Sequence, residues 1–182
     1  MIQYLLIGTI IFLLLYIIVT YNSFIRLSNR VKEAFATMDV FLKKRWDLIP
    51  NIVAAVKGYA RHEKETLDKV TALRSGAYQN MSSNEKIDVN EQLTAGISKL
   101  IAVAENYPDL KASQNFLDLS KQLSKVEDDI AMARKYYNAV VKHMNNKVQM
   151  FPSNIVAGIF TFKEAKMFEA IDSERQVVNV AI

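Results

Sequence analysis

The sequence predicts an all-α protein: an N-terminal transmembrane helix followed by an antiparallel bundle of three or four long helices, with a kink or turn at Pro50. Three observations carry that prediction. Residues 1–25 hold no charged side chain. Beyond them, apolar residues recur at steps of three and four over long stretches, the period of a helix with one buried face. Only 5 Gly and 3 Pro punctuate 182 residues, too few turn-formers for a many-stranded sheet.

The first element is the apolar run 2–19, IQYLLIGTIIFLLLYIIV. At about 1.5 Å per residue it reaches across a hydrocarbon core of roughly 30 Å once Thr20 and Tyr21 are added at the boundary. Tyr4 and Tyr21 stand near its ends, where an amphipathic ring is favoured. A cleaved signal peptide fits less well, because no basic residue precedes the run and no small-x-small site follows it. The domain division expected is a transmembrane helix at 1–21, a helical bundle domain at 22–151 and an apolar C-terminal tail at 152–182.

Charge sets the orientation. The net charge is +4, yet residues 21–75 hold eleven Lys/Arg against six Asp/Glu, so the positive excess lies beside the apolar run. Arg26, Arg30 and Lys32 follow the span closely, and no Lys or Arg precedes it. The positive-inside tendency then places the N-terminus outside and the bundle domain in the cytoplasm. The same three residues are the candidates for contact with lipid headgroups. No basic block is interleaved with aromatics, so nucleic acid is not an expected partner.

The first amphipathic helix continues from the span through Phe24, Leu27, Val31, Ala34 or Phe35, Met38, Phe41 or Leu42, and Ile49 at heptad-like, coiled-coil spacing. Pro50 removes a backbone donor and crowds the preceding turn, which favours a stop and reversal there, with Asp47 as a cap; a kinked continuous rod is the alternative. A second helix is expected over 50–78. Ser82 and Glu85 form an S-x-x-E capping box for a third, striped by Leu93, Ile97, Leu100 and Ala104. Pro108 breaks it. The fourth is the clearest, with apolar positions from Phe116 through Leu123, Ile130, Tyr137 and Met144 to Phe151. The stretch around Ile155, Val156, Ile159, Phe160 and Phe162 is densely apolar. Alternation at the chain end, 176–182, suggests a segment that is disordered, docked in a helix groove or paired with another subunit.

Four separated phrases, YNSFIRLSNRVKEAF, LKKRWDLIPNIVAAVKGYARHEKETL, ENYPDLKASQNF and FPSNIVAGIF, closely resemble the LemA family in the same order. The resemblance implies long antiparallel helices behind a membrane anchor and implies no enzymatic activity. The chain departs from the family at its end, where VVNVAI replaces a Pro-x-Val-x-Phe-like segment.

No catalytic, cofactor or metal site is expected. The absence of Cys removes disulfides, thiolate metal sites and cysteine nucleophiles. His62-Glu63 opens like a zinc-protease helix, but Thr66 stands where the second His is needed. Neither His62 nor His143 has a Glu three residues before it, as a di-iron bundle requires. Glu127-Asp128-Asp129 reads as a solvated face, and Lys43-Lys44-Arg45 with Trp46 as a solvated helix end, with contact to anionic lipid or a partner as the alternative. Two polar groups surround the proline breaks: Asp39, Arg45, Asp47 and Asn51 around Pro50, and Glu105, Asn106 and Asp109 around Pro108. Paired at one end of the bundle, they would cap helices and fix loops by charge-assisted hydrogen bonds. The function expected is a membrane-anchored scaffold that self-assembles into homo-oligomers. The competing reading is an adaptor presenting a helical face to another membrane protein.

Overall fold

The computed structural model describes residues 1–60, 62–74, 76 and 78–168. Among them the secondary structure is helical, with no strand. The alternating segment 176–182 lies outside the described residues.

Helix α1, Ile2–Tyr59, runs as one rod of 58 residues through Pro50. The reversal expected at Pro50 is therefore corrected, and so is the predicted helix 50–78. Pro50 cannot donate to the carbonyl one turn before it, but this is a single lost bond. Leu42, Ile49, Ile52 and Val56 are buried on either side of it and hold the helix through the defect, while Pro50 itself is exposed. The chain turns after Tyr59. It then forms α2, Lys64–Ala72, and a single 3-10 turn at Tyr78–Asn80.

The predicted capping box is formed. Ser82 Oγ accepts from the Glu85 amide, and the Glu85 carboxylate accepts from the Ser82 amide at 2.7 Å, opening α3, Ser83–Glu105. Pro108 starts α4, Pro108–Ala112, where a first-turn proline loses no helical bond. Helix α5, Gln114–Gln149, is 36 residues long, matching the long stripe read from the sequence. Helix α6, Ser153–Ile159, follows; Ser153 Oγ donates to the carbonyls of Lys147 and Met150 and so closes the end of α5.

The chain divides into two compact units. One comprises residues 1–37 and 133–167. There α5 lies antiparallel to α1, since Phe35 meets Tyr137 while Ser23 meets Lys147. Phe24, Met144, Val156 and Ala157 form the buried centre of this unit. The other is built on residues 38–132. In it α3 runs parallel to α1, because Asp39 pairs with Lys86 and Arg45 reaches Asn90 and Thr94. Helix α2 returns antiparallel to α3, with Val70 close to Gly96 and Glu65 near Lys99. Its buried apolar side chains include Leu42, Ile49, Val70, Ile87, Leu93, Leu100, Leu123 and Ile130. Burying each large side chain contributes roughly 1.5–3 kcal/mol.

The run 2–19 is the part of α1 that is long and apolar enough to cross a membrane, and no residue of its most apolar window is fully buried.

Candidate functional site

The chemistry-bearing residues of the 38–132 unit converge on one buried cation. Arg45 lies three residues after Leu42 and four before Ile49, on the inward face of α1, and is only 1% exposed. Its Nη2 donates to the Asn90 carbonyl and to Asn90 Oδ1, both at 2.8 Å. Its Nη1 donates to Thr94 Oγ1 at 2.7 Å and to the two Glu127 oxygens at 2.9 and 3.0 Å. Three helices, α1, α3 and α5, are thereby tied at one level. A buried charge is tolerated when it is paired and hydrogen-bonded, and the planar guanidinium suits such a fork of acceptors.

A second cluster stands two turns earlier on α1. The Tyr78 hydroxyl donates to Asp39 Oδ1 at 2.5 Å, and Lys86 Nζ donates to Asp39 Oδ2 at 2.7 Å. Lys86 also sits 4.6 Å from the centre of the Tyr78 ring. Trp46 packs on Tyr78 at 5.1 Å, and the Arg74 guanidinium lies 5.4 Å from the Trp46 ring. Burial, reinforced by the neighbouring Asp39 carboxylate, pushes the Tyr78 phenol well above its ordinary range. It therefore stays protonated at neutral pH and acts as a fixed donor.

The two polar groups expected to meet around the proline breaks fare differently. Asp39 and Arg45 face α3. Asp47 pairs within α1 with Lys43, and with Asn51 it lines a surface groove of about 470 Å³ beside Lys125 and Asp129. Glu105, Asn106 and Asp109 are exposed at the α3–α4 turn. Thr94, which holds Arg45, precedes Glu105 along α3 by about 16 Å at roughly 1.5 Å per residue. Among the described residues no three His, Cys, Asp or Glu side chains gather as a metal site.

With this geometry in place, the comparison with known sequences is decisive: residues 34–182 match the LemA family. The chain belongs to the LemA family. It is 28% identical over 161 residues to Protein LemA of Metamycoplasma hominis, a match covering 88% of this chain and 74% of that one. It is 24% identical over 179 residues to Magnetosome protein MamQ 2 of Paramagnetospirillum magneticum, covering 84% of this chain and 66% of that one. It is 21% identical over 178 residues to Magnetosome protein MamQ of Magnetospirillum gryphiswaldense, spanning 65% of that protein. The resemblance read from the four phrases is thus confirmed, and the LemA match contains the whole Arg45 network.

Sequence reasoning overlooked Asn90 and Thr94 in this LemA-family chain and misplaced Glu127. Glu127 was expected on a solvated face, yet it is only 30% exposed and bonds Arg45. The signal was present. Asn90 interrupts the α3 stripe three residues after Ile87, and Glu127 flanks the α5 stripe next to Val126, as Arg45 interrupts that of α1. Charged and amide residues standing on apolar stripes of different helices find each other because none can be buried alone.

In the other unit, Arg26, Arg30 and Lys32 are exposed in the turns after the apolar run. Spacing by four puts Arg26 and Arg30 on one face. Lys147 of α5 belongs to the same level: its ammonium donates to Ser23 Oγ and lies 5.4 Å from the Phe24 ring. Burial and then the nearby Arg26 charge hold the Lys147 ammonium below its usual range. This basic neighbour on a distant stretch of sequence was not legible beforehand.

Proposed function

We propose that this LemA-family chain is a membrane-anchored helical scaffold that self-assembles and carries no catalytic activity. The observation that supports it is the form of α1: an apolar run, exposed over most of its length, that belongs to the same helix as the residues after it. Such a run leaves in lipid what cannot stay in water. The basic residues Arg26, Arg30, Lys32 and Lys147 suit contact with anionic headgroups just beyond the span. By the positive-inside tendency the bundle then faces the cytoplasm.

The polar residues that could serve chemistry are occupied in fastening helices. Arg45 ties α1 to α3 and α5, and Asp39 is held by Tyr78 and Lys86. The designations of the relatives, LemA and magnetosome protein, name no reaction, which accords with a structural role. For self-assembly, Met132 and Tyr136 supply apolar surface, both exposed and four residues apart on one face of α5.

The test is the full-length protein in lipid nanodiscs. Mass measurement finds more than one copy, and replacing both Met132 and Tyr136 by Glu lowers the copy number. A strict monomer at every protein-to-lipid ratio contradicts self-assembly. Release of the intact chain from membranes by alkaline extraction contradicts the anchor.

A further inference from the structure

Helix α6 is apolar on its inward face and largely apolar on its outward one, where Asn154 is the exposed polar side chain. Its inward face, Val156 and Ala157, is buried with Phe24 and Met144. Its outward face carries Ile155 and Ile159, 55% and 63% exposed and four residues apart. The preceding turn adds Met150 and Phe151, 62% and 78% exposed. A surface helix of a water-soluble domain shows a polar side to solvent; one that is apolar all round belongs in a core or in lipid.

Its position within the 1–37 and 133–167 unit says which. The cluster that holds α6 includes Tyr16, Ile17 and Tyr21 of α1. Tyr21 lies 4.8 Å from Phe160, and Phe24 stacks on Phe162 at 4.7 Å. Tyr16 and Ile17 belong to the apolar run itself. Tyr16 precedes Val19 by about 5 Å at roughly 1.5 Å per residue, so α6 packs beside the last turn of the run. None of residues 150–162 carries a charge, whereas Lys163 and Glu164 follow at once. Asn154 is the exposed polar side chain of α6, while backbone groups of the segment are satisfied internally. The amides of Asn154, Phe160 and Phe162 donate to carbonyls of the same segment, as does the Ser153 hydroxyl to that of Met150. That is the condition for backbone to enter an apolar medium.

We propose that α6 and the turn before it are a second membrane-contacting element, with Met150, Phe151, Ile155 and Ile159 seated at the boundary between headgroups and acyl chains beside the span. The inference rests on the reading of 2–19 as a membrane span. The occupant of this face is lipid rather than a second copy, because α6 packs against Tyr16, Ile17 and Tyr21 at the end of the span. An uncharged element seated at that boundary would clamp the base of α1 and limit its tilt.

The absence of Cys makes the test direct. Full-length variants Ile155→Cys, Ile159→Cys, Leu14→Cys and Lys125→Cys are labelled with a polarity-sensitive fluorophore in phosphatidylcholine–phosphatidylglycerol vesicles. Quenching is compared between acyl-chain spin labels and aqueous iodide. Labels at 155 and 159 are expected to emit blue-shifted light and to be quenched by the spin labels as strongly as the label at 14, while iodide quenches only the label at 125. Iodide quenching at 155 and 159 with lipid quenching retained at 14 overturns this inference and leaves the anchor standing. Loss of lipid quenching at 14 overturns the anchor, and the inference with it. Protection at 155 and 159 from both quenchers, with bismaleimide joining two chains there, overturns it in favour of a contact between copies.

Discussion

Arg45 on α1 and Glu127 on α5 are joined by hydrogen bonds of 2.9 and 3.0 Å from one guanidinium nitrogen to both carboxylate oxygens. The arginine is buried, and the carboxylate keeps 30% of its side chain in water. This asymmetry decides what each substitution costs. Arg45→Ala leaves Asn90, Thr94 and Glu127 without their shared donor and opens a void, and is expected to destabilise by about 3–5 kcal/mol. Glu127→Ala is expected to cost about 1–2 kcal/mol, because Arg45 keeps Asn90 and Thr94 and water reaches the vacated position. Arg45→Lys should not restore stability, since a single ammonium cannot span acceptors on two helices. Urea denaturation in detergent, followed by helical circular dichroism, reads all three; a larger cost at Glu127 than at Arg45 contradicts the arrangement.

Tyr78 links stability to pH on the alkaline side. Its folded pKa is raised above the ordinary value of 10.0 by burial and by Asp39. The stabilisation is therefore complete below pH 10 and is lost as pH rises beyond it, because the unfolded chain then releases a proton the folded chain retains. Tyr137, raised by burial, acts in the same sense. Tyr78→Phe should lower stability at neutral pH through loss of the hydrogen bond, yet flatten the fall above pH 10. An unchanged alkaline slope in that variant would show that Tyr78 does not carry it.

Gly96 lies where α3 packs against Val70 of α2. A Cβ there would meet Val70 Cγ2 at 3.0 Å. Gly96→Leu is expected to force the two helices apart at a cost of about 1–3 kcal/mol. Faster amide exchange in α2, with α5 unaffected, would locate the damage. Exchange that rises equally in both helices argues against a local wedge.

Pro50 is a defect in a continuous helix rather than a turn. Pro50→Ala should keep the helical signal and raise stability, by up to about 3 kcal/mol, the intrinsic penalty of an interior proline. A loss of stability on this substitution would mean that the proline shapes the rod in a way the neighbouring packing requires.

The helices were legible where a local signal is strong. The S-x-x-E box at Ser82 and Glu85 and the stripe of α5 led to correct elements because capping and amphipathic period are properties of short stretches. Pro50 misled for the complementary reason. A proline's local cost is visible in sequence, whereas the burial of Leu42, Ile49, Ile52 and Val56 that offsets it is a sum over contacts made with other helices. The candidate site was half legible: Arg45 and Asp39 were singled out, but they were set against the Pro108 turn. Their partners, Asn90, Thr94, Glu127, Tyr78 and Lys86, come from segments far along the chain.

The sequence by itself determined the class of molecule: uncharged residues over one span of lipid thickness, helix-period stripes behind it, and phrases that mark the LemA family. These follow from water-avoidance along single elements, which needs no knowledge of neighbours. Only the tertiary structure decided that α1 continues to Tyr59, which polar residues satisfy Arg45, and that α6 returns to Tyr16, Ile17 and Tyr21. Each of these depends on which helix faces meet, and a buried charge or a lost hydrogen bond is compensated only by the residues that meet it.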